Sequence, residues 1–304
     1  MSLDPGMDRG ARTFDAPGCL LHDAPVIKDL WYKNAVIYCL NVGTFMDSNG
    51  DGVGDFEGLI RRLDYLAGLG VTCLWLHPFQ KSPRRDDGYD ISDFYQVDPI
   101  YGNLGDFVDF THECKQRGIR VIIDMVLNHT SDQHPWFKAA RKSPSSKYRD
   151  YYLWSKKRPA SFDEGMVFPG VQKTTWTFDA VAKAYYFHRF YDFQPDLNTS
   201  NPDVLAEIRK ILGFWLQLGV AGFRMDAIPF VIQTKGAELQ RHTQQYEMLR
   251  DIREFLQWRR GDSVILAEAN VLPETNIHYF GDDGDRMHMM FNFQVNQNLF
   301  YALA

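Results

Sequence analysis

From residue 35 onward, short apolar runs alternate with amphipathic stretches of helical length, and this alternation constrains the fold of the 304-residue chain more than any other feature. Apolar runs fall at 35–40, 71–77, 119–127, 219–226, 264–268 and 289–293, and helical patterns at 56–69, 104–117, 201–218 and 244–259. Gly70 and Gly118 follow two of those helical patterns, where a left-handed terminal residue is expected. A strand–helix repeat of this kind predicts a parallel sheet covered by helices. The run at 119–127 is too continuous for a strand that is wet on one face. No Gly-x-Gly-x-x-Gly and no phosphate loop follows the first strand, which argues against a nucleotide fold. A Pro-, Asp- and Gly-rich loop is expected over 78–99.

The alternation breaks between 131 and 197, a stretch rich in Trp, Tyr, Pro, Lys and Asp with only short strand-like runs at 175–178 and 185–190. So long an irregular insertion is usually functional or a small subdomain. The expected organisation is an N-terminal arm (1–30), a first sheet part (31–130), an inserted domain (131–197) and a continued sheet part (198–304).

Polar residues close successive strands: His77 the second, Asn128 and His129 the third, Asp226 the fourth and Glu268 the fifth. In a closed βα barrel, the TIM (β/α)8 type, catalytic groups stand at these C-terminal strand ends. The fold class expected is therefore α/β, a TIM-type barrel truncated after about the sixth strand, with a small irregular domain inserted after the third. Arg224 and Asp226 are two apart on a strand and share a face. Their pairing reads either as a structural ion pair or as an ionised nucleophile held by its guanidinium. Neighbouring strands lie about 4.7–4.9 Å apart, so Glu268 on the next strand would stand near 5 Å from Asp226, close to the separation of a retaining glycosidase and too near for an inverting one.

Charge and composition narrow the partners. With 33 Lys and Arg against 39 Asp and Glu the net charge is −6 and no basic stripe is present, which excludes nucleic acid as an expected partner. The apolar runs are too short to span a membrane, and the first residues do not resemble a signal peptide. Cys19, Cys39, Cys73 and Cys114 have no metal or Cys-x-x-Cys spacing, and read as reduced thiols of a cytoplasmic protein. Seven Trp and fifteen Tyr leave open both an aromatic core and a stacking surface for a sugar face.

The segment Asp47-Ser-Asn-Gly-Asp-Gly-Val-Gly-Asp55 sets Asp47, Asn49, Asp51, the Val53 carbonyl and Asp55 as alternating oxygen donors around Gly52, a pattern suited to Ca2+. Gly58 stands where an EF-hand needs a bidentate Glu, and a strand precedes the loop, so it is not an EF-hand.

Asp124-Met-Val-Leu-Asn-His129, Gln194-Pro-Asp-Leu-Asn198, Gly222-Phe-Arg-Met-Asp226 and Glu268-Ala-Asn resemble, in order, the signature regions of the α-amylase superfamily, glycoside hydrolase family 13. Asp86-Asp-Gly-Tyr-Asp-Ile-Ser-Asp93, the Asp47–Asp55 loop, the segment from Asn128 to Phe137 and Tyr148-Arg-Asp-Tyr-Tyr152 resemble its oligo-1,6-glucosidase and trehalose synthase branch, and the whole resemblance runs from about Trp31 onward. It implies an enzyme of carbohydrate metabolism acting on an α-linked glucose disaccharide or oligosaccharide. Asp226 would be the nucleophile, Glu268 the acid/base and Arg224 the nucleophile's support. Asp86, Tyr89, His77 and His129 would line a glucose subsite, with Tyr89 as a stacking platform and Phe168 closing it from the insertion. The Asp47–Asp55 loop would hold Ca2+, and no organic cofactor is implied.

Two departures follow. The family's third catalytic Asp, in an Asn-His-Asp segment after the seventh strand, has no counterpart before Ala304, and neither do the last two strands nor a C-terminal β-domain. Ile228-Pro-Phe-Val-Ile-Gln-Thr-Lys235 also replaces the Tyr- and Glu-rich stretch typical of trehalose synthases, and Gly43 stands near the branch's usual first-strand basic residue. Maltose–trehalose isomerisation, hydrolysis and sugar binding without turnover all stay open. An unrelated aldolase-type barrel would want a Schiff-base Lys at a strand end, and none stands there.

Overall fold

A computed structural model describes residues 28–236 and 243–303. Most of the arm expected at 1–30 and Cys19 lie outside the described residues. The strands are β1 Ile37–Leu40, β2 Cys73–Leu76, β3 Gln80–Lys81, β4 Asp93–Val97, β5 Arg120–Met125, β6 Trp154–Ser155, β7 Trp176–Asp179, β8 Ala184–Phe187, β9 Gly222–Met225, β10 Val264–Ala267 and β11 Met289–Met290. The α-helices are α1 Val42–Phe45, α2 Phe56–Gly68, α3 Leu104–Gln116, α4 Pro135–Lys142, α5 Pro202–Gln217, α6 Ile228–Val231, α7 Glu247–Arg259, α8 Asn276–Phe280 and α9 Phe293–Leu303.

Six strands form one parallel sheet in the order β1-β2-β5-β9-β10-β11, each at a place where the alternation predicts one. The period of two sorts their side chains into two layers. Leu74, Leu76, Ile123, Met125, Phe223, Met225, Ile265 and Ala267 face the helices and join the main core. Cys73, Ile122, Val264 and Leu266 form a second cluster on the other face, with Trp31, Trp75 and Phe291 against it. On the helix side, the Phe56 ring sits 5.3 Å from Phe79 and 5.4 Å from Phe107, and Trp215 donates its indole N–H to the Phe94 carbonyl at 2.9 Å. Each fully buried aromatic side chain of this kind contributes a few kcal/mol at about 25 cal/mol per Å².

Helix starts are encoded locally. Asn103 and Asp106 make a reciprocal capping box on α3, and Asn201 caps α5 ahead of Pro202 at the first turn. At the N-terminal side of the sheet a 3₁₀ segment, Lys28–Asn34, brings Trp31 to donate to the Asp262 carbonyl at 2.8 Å, and the Arg120 guanidinium lies over its ring at 4.6 Å.

The insertion holds a small antiparallel sheet, β6-β8-β7, close to the two short runs the sequence marks. The loop expected over 78–99 differs: β3 and β4 pair there as an antiparallel ribbon with an irregular register. Two residues of β3 carry no alternation to read, so their pairing is set by tertiary context.

Candidate active site

β9 ends in the arrangement on which the site is built. Gly222 opens it, and a Cβ there would lie 2.3 Å from the Val264 carbonyl oxygen, so only glycine lets β9 and β10 approach this closely. The register then pairs Arg224 with Leu266 and Met225 with Ala267, which brings Asp226 level with Glu268 one residue on. Across the other edge Arg224 pairs with Asp124 of β5.

Arg224 is buried and gathers three carboxylates from three adjacent strands. Its Nη1 donates to Asp226 Oδ1 at 2.6 Å and to Asp124 Oδ1 at 2.5 Å, and its Nη2 pairs with Glu268 Oε1 at 2.8 Å. Glu268 Oε2 also accepts the Ala227 N–H at 3.0 Å. Ala227 is left-handed, φ 48° and ψ 40°, a conformation costing about 1–2 kcal/mol for a residue with a Cβ. That local strain sits between the two acids, where its N–H is used. The Glu268 side chain is 34% exposed and is held by Arg224 and the Ala227 N–H.

Arg224 is not the only influence on the Asp226 carboxyl. Burial pushes the Asp226 carboxyl up, Arg224 pulls it down, and the neighbouring Asp124 and Glu268 carboxylates push it up again. Asp124 is raised for the same first reason, burial, against Arg224 and hydrogen bonds from Tyr89 and Trp75. One guanidinium shared by three carboxylates does not neutralise them all.

Asp124, the first residue of the Asp124–His129 motif, belongs to the site although the motif alone assigns it no role. It is fully buried and accepts from the Tyr89 hydroxyl at 3.1 Å and the Trp75 indole N–H at 3.3 Å. Asp124 is the one carboxylate of β5 and stands two residues beyond Ile122 on the same face, which is its signal in the sequence.

Of the other expected site residues, Tyr89 is the one hydrogen-bonded to this group. Tyr89 is tied to it through Asp124, and His129 Nε2 lies 3.2 Å from the Tyr89 carbonyl. His77 Nε2 lies 3.1 Å from Cys39 Sγ, and burial followed by the nearby Arg224 charge lowers its pKa. Asp86 accepts from Gln194 at 2.7 Å, and burial raises its carboxyl in spite of that bond. Phe168 is 38% exposed and stacks on Tyr191 at 5.4 Å, with Phe190 next to it and 5.3 Å from His129. Gln194 and Lys235 were missed as site supports; the Lys235 side chain is 1% exposed and pairs with Asp196 at 2.9 Å.

The Asp47–Asp55 loop joins α1 to α2. Asp47 accepts from the N–H groups of Asn49, Gly50 and Gly52, and Asp51 from that of Val53. Asp55 caps α2 through Gly58 N–H at 2.7 Å. A Cβ at Gly58 would meet the Met46 carbonyl oxygen at 2.0 Å, so no EF-hand Glu fits there. Among the described residues no group of three or more His, Cys, Asp or Glu converges as a metal cluster.

Comparison with known proteins matches residues 40–302 to the α-amylase catalytic domain. The chain is 50% identical over 275 residues to a trehalose synthase of Thermus thermophilus, covering 90% of this chain and 28% of that protein. It is 38% identical over 285 residues to an oligo-1,6-glucosidase of Parageobacillus thermoglucosidasius, covering 87% and 50% respectively. Among solved structures, a single-residue variant of the trehalulose synthase MutB in complex with Tris superimposes with a TM-score of 0.80 at 34% identity, covering 88% of this chain and 51% of that one. The chain thus spans from about a quarter to about half the length of these relatives.

Proposed function

Because the chain belongs to the α-amylase family, glycoside hydrolase family 13, we propose that it is a retaining α-glucoside-acting enzyme of the trehalose synthase type. The observation that carries this reading is the single Arg224 guanidinium holding both Asp226 and Glu268, carboxylates that end neighbouring strands. One strand spacing, about 4.8 Å, suits the double-displacement separation of about 5–5.5 Å.

Asp226 attacks the anomeric carbon as the glycosidic C–O bond breaks, and Glu268 gives its proton to the departing oxygen. Arg224 holds Asp226 in line, and Asp124, itself held by the Tyr89 hydroxyl, holds Arg224. Glu268 then takes a proton from the acceptor hydroxyl, which attacks the glucosyl ester. A returning glucose makes this an isomerase of maltose and trehalose; water makes it a hydrolase of α-glucosidase type. The similarity to a trehalose synthase favours the first outcome, and that to an oligo-1,6-glucosidase keeps the second as the alternative. Asp86, His77, His129 and Tyr89 would contact the glucose, Phe168 would shield it, and residues 131–197 would act as an inserted domain over the site.

Ca2+ at the Asp47–Asp55 loop belongs to the same reading. The donor set is oxygen only, Gly50 and Gly52 take positive φ to turn the loop, and Asp47, Asn49, Asp51, the Val53 carbonyl and Asp55 would hold the ion. Its contribution would be structural, tying α1 to α2. A cytoplasmic setting is supported by free thiols at Cys39, Cys73 and Cys114. Among the described residues no helix is long and apolar enough to cross a membrane.

The test is maltose given to this chain, with glucose and trehalose assayed as products and heat of binding measured in parallel. Product formation that disappears in Asp226→Ala is expected. Binding heat with no product would overturn the catalytic reading and leave sugar binding.

A further inference from the structure

Lys235 lies nine residues beyond Asp226, and its ammonium is buried in a set of oxygen acceptors. Nζ reaches Asp196 Oδ2 at 2.9 Å, Asn128 Oδ1 at 2.7 Å, and the Asn128 and Leu197 carbonyls at 3.2 Å each. An ammonium only donates, so the Asn128 amide must turn its oxygen to Lys235 and its NH2 the other way. That NH2 lies 3.2 Å from His129 Nδ1. Nδ1 must then accept, which places the imidazole proton on Nε2. At the far side Nε2 lies 3.2 Å from the Tyr89 carbonyl, which can only accept. Both ends of the ring demand the same tautomer. A second proton on Nδ1 would set donor against donor, so the arrangement also resists the imidazolium.

We propose that Lys235 is a positioning residue: through the Asn128 amide it holds His129 neutral, with its proton on Nε2 and given to the Tyr89 backbone. The relay joins three parts of the fold. Lys235 follows β9, Asn128 and His129 follow β5, and Asp196 and Leu197 end the insertion, with His129 bridged to Asp196 by backbone pairing. Its target is the segment carrying Tyr89, whose hydroxyl bonds Asp124 and through it Arg224. The consequence for sugar binding rests on the proposed function; the tautomer does not.

The experiment is nitrogen-15 NMR of the histidine rings in the full 304-residue chain, with the His129 signals assigned by their loss in His129→Gln. Wild type is expected to show one neutral tautomer, protonated on Nε2. The paired change Lys235→Met with Asp196→Asn removes both buried charges together, so neither is left alone. With the ammonium gone the Asn128 amide is free to turn, and a mixture of tautomers is expected. Asn128→Asp is the second variant: an oxygen facing Nδ1 demands a donor there, so a proton on Nδ1 is expected. A pure Nε2–H tautomer retained in whichever variants fold, or a wild type protonated on Nδ1, overturns the proposal. Maltose calorimetry on the same samples reads the consequence as about a tenfold weaker Kd in the variants. A wild type that binds no maltose would sink the proposed function and leave the tautomer result standing.

Discussion

Three carboxylates and one guanidinium share a few ångströms at the end of β9, and their balance has a measurable sign. The folded state raises the Asp226 carboxyl, so between the ordinary carboxylate range and that raised value it binds more protons than the unfolded chain. Stability then falls as pH rises through this window and is recovered as pH falls below it. Asp226→Asn removes the charge while Arg224 keeps Asp124 and Glu268. It is expected to stabilise the chain at neutral pH by about 1–2 kcal/mol while abolishing turnover, and to flatten the pH slope of the melting temperature; an unchanged or steeper slope would contradict the shared-guanidinium picture. Since attack needs the carboxylate, activity is also expected to fall on acidification already above the usual carboxylate range, read as the acid limb of kcat/KM. At this scale the shared face of Arg224 and Asp226 and the nearness of Glu268 were legible from alternation and strand spacing, whereas the roles expected of them came from the family resemblance. The direction of the Asp226 shift was not legible, because it depends on Asp124, hidden in an apolar run, and on the burial of the whole group. Lys235 was illegible for a related reason: its partners lie 38 to 107 residues away in sequence.

At the scale of elements, the β9–β10 junction decides whether the two acids meet. Gly222→Ala would press a methyl on the Val264 carbonyl. Such overpacking is expected to cost about 1–3 kcal/mol in urea unfolding, and to lower kcat by displacing Glu268 relative to Asp226. Full activity at full stability in that variant would show that the close approach is not needed. Helix boundaries were largely readable because their signals are local, as with Asn103 and Asp106 on α3 or Asn201 and Pro202 on α5. The β3–β4 ribbon was not, since a two-residue strand is defined by its partner rather than by its own pattern.

Over the whole molecule, six parallel strands with their polar ends on one rim account for the order in which the motifs occur. The fold class was legible because that order needs only period-two and helical patterning, whereas the path of the insertion depends on contacts such as Arg189 with Gln233 at 2.9 Å. If the Asp47–Asp55 loop takes Ca2+, chelation with EGTA is expected to lower the melting temperature and added Ca2+ to restore it, by mass action on the folded state alone. No change with either would remove the ion from the reading. The most direct test of the central proposal is to trap the glucosyl ester. The chain would be treated with an activated fluoroglucoside, digested, and its peptides weighed. The expected result is one glucosyl adduct on the peptide containing Asp226, absent in Asp226→Ala. An adduct on another carboxylate with Asp226 unmodified, or none while the chain turns over maltose, would contradict it.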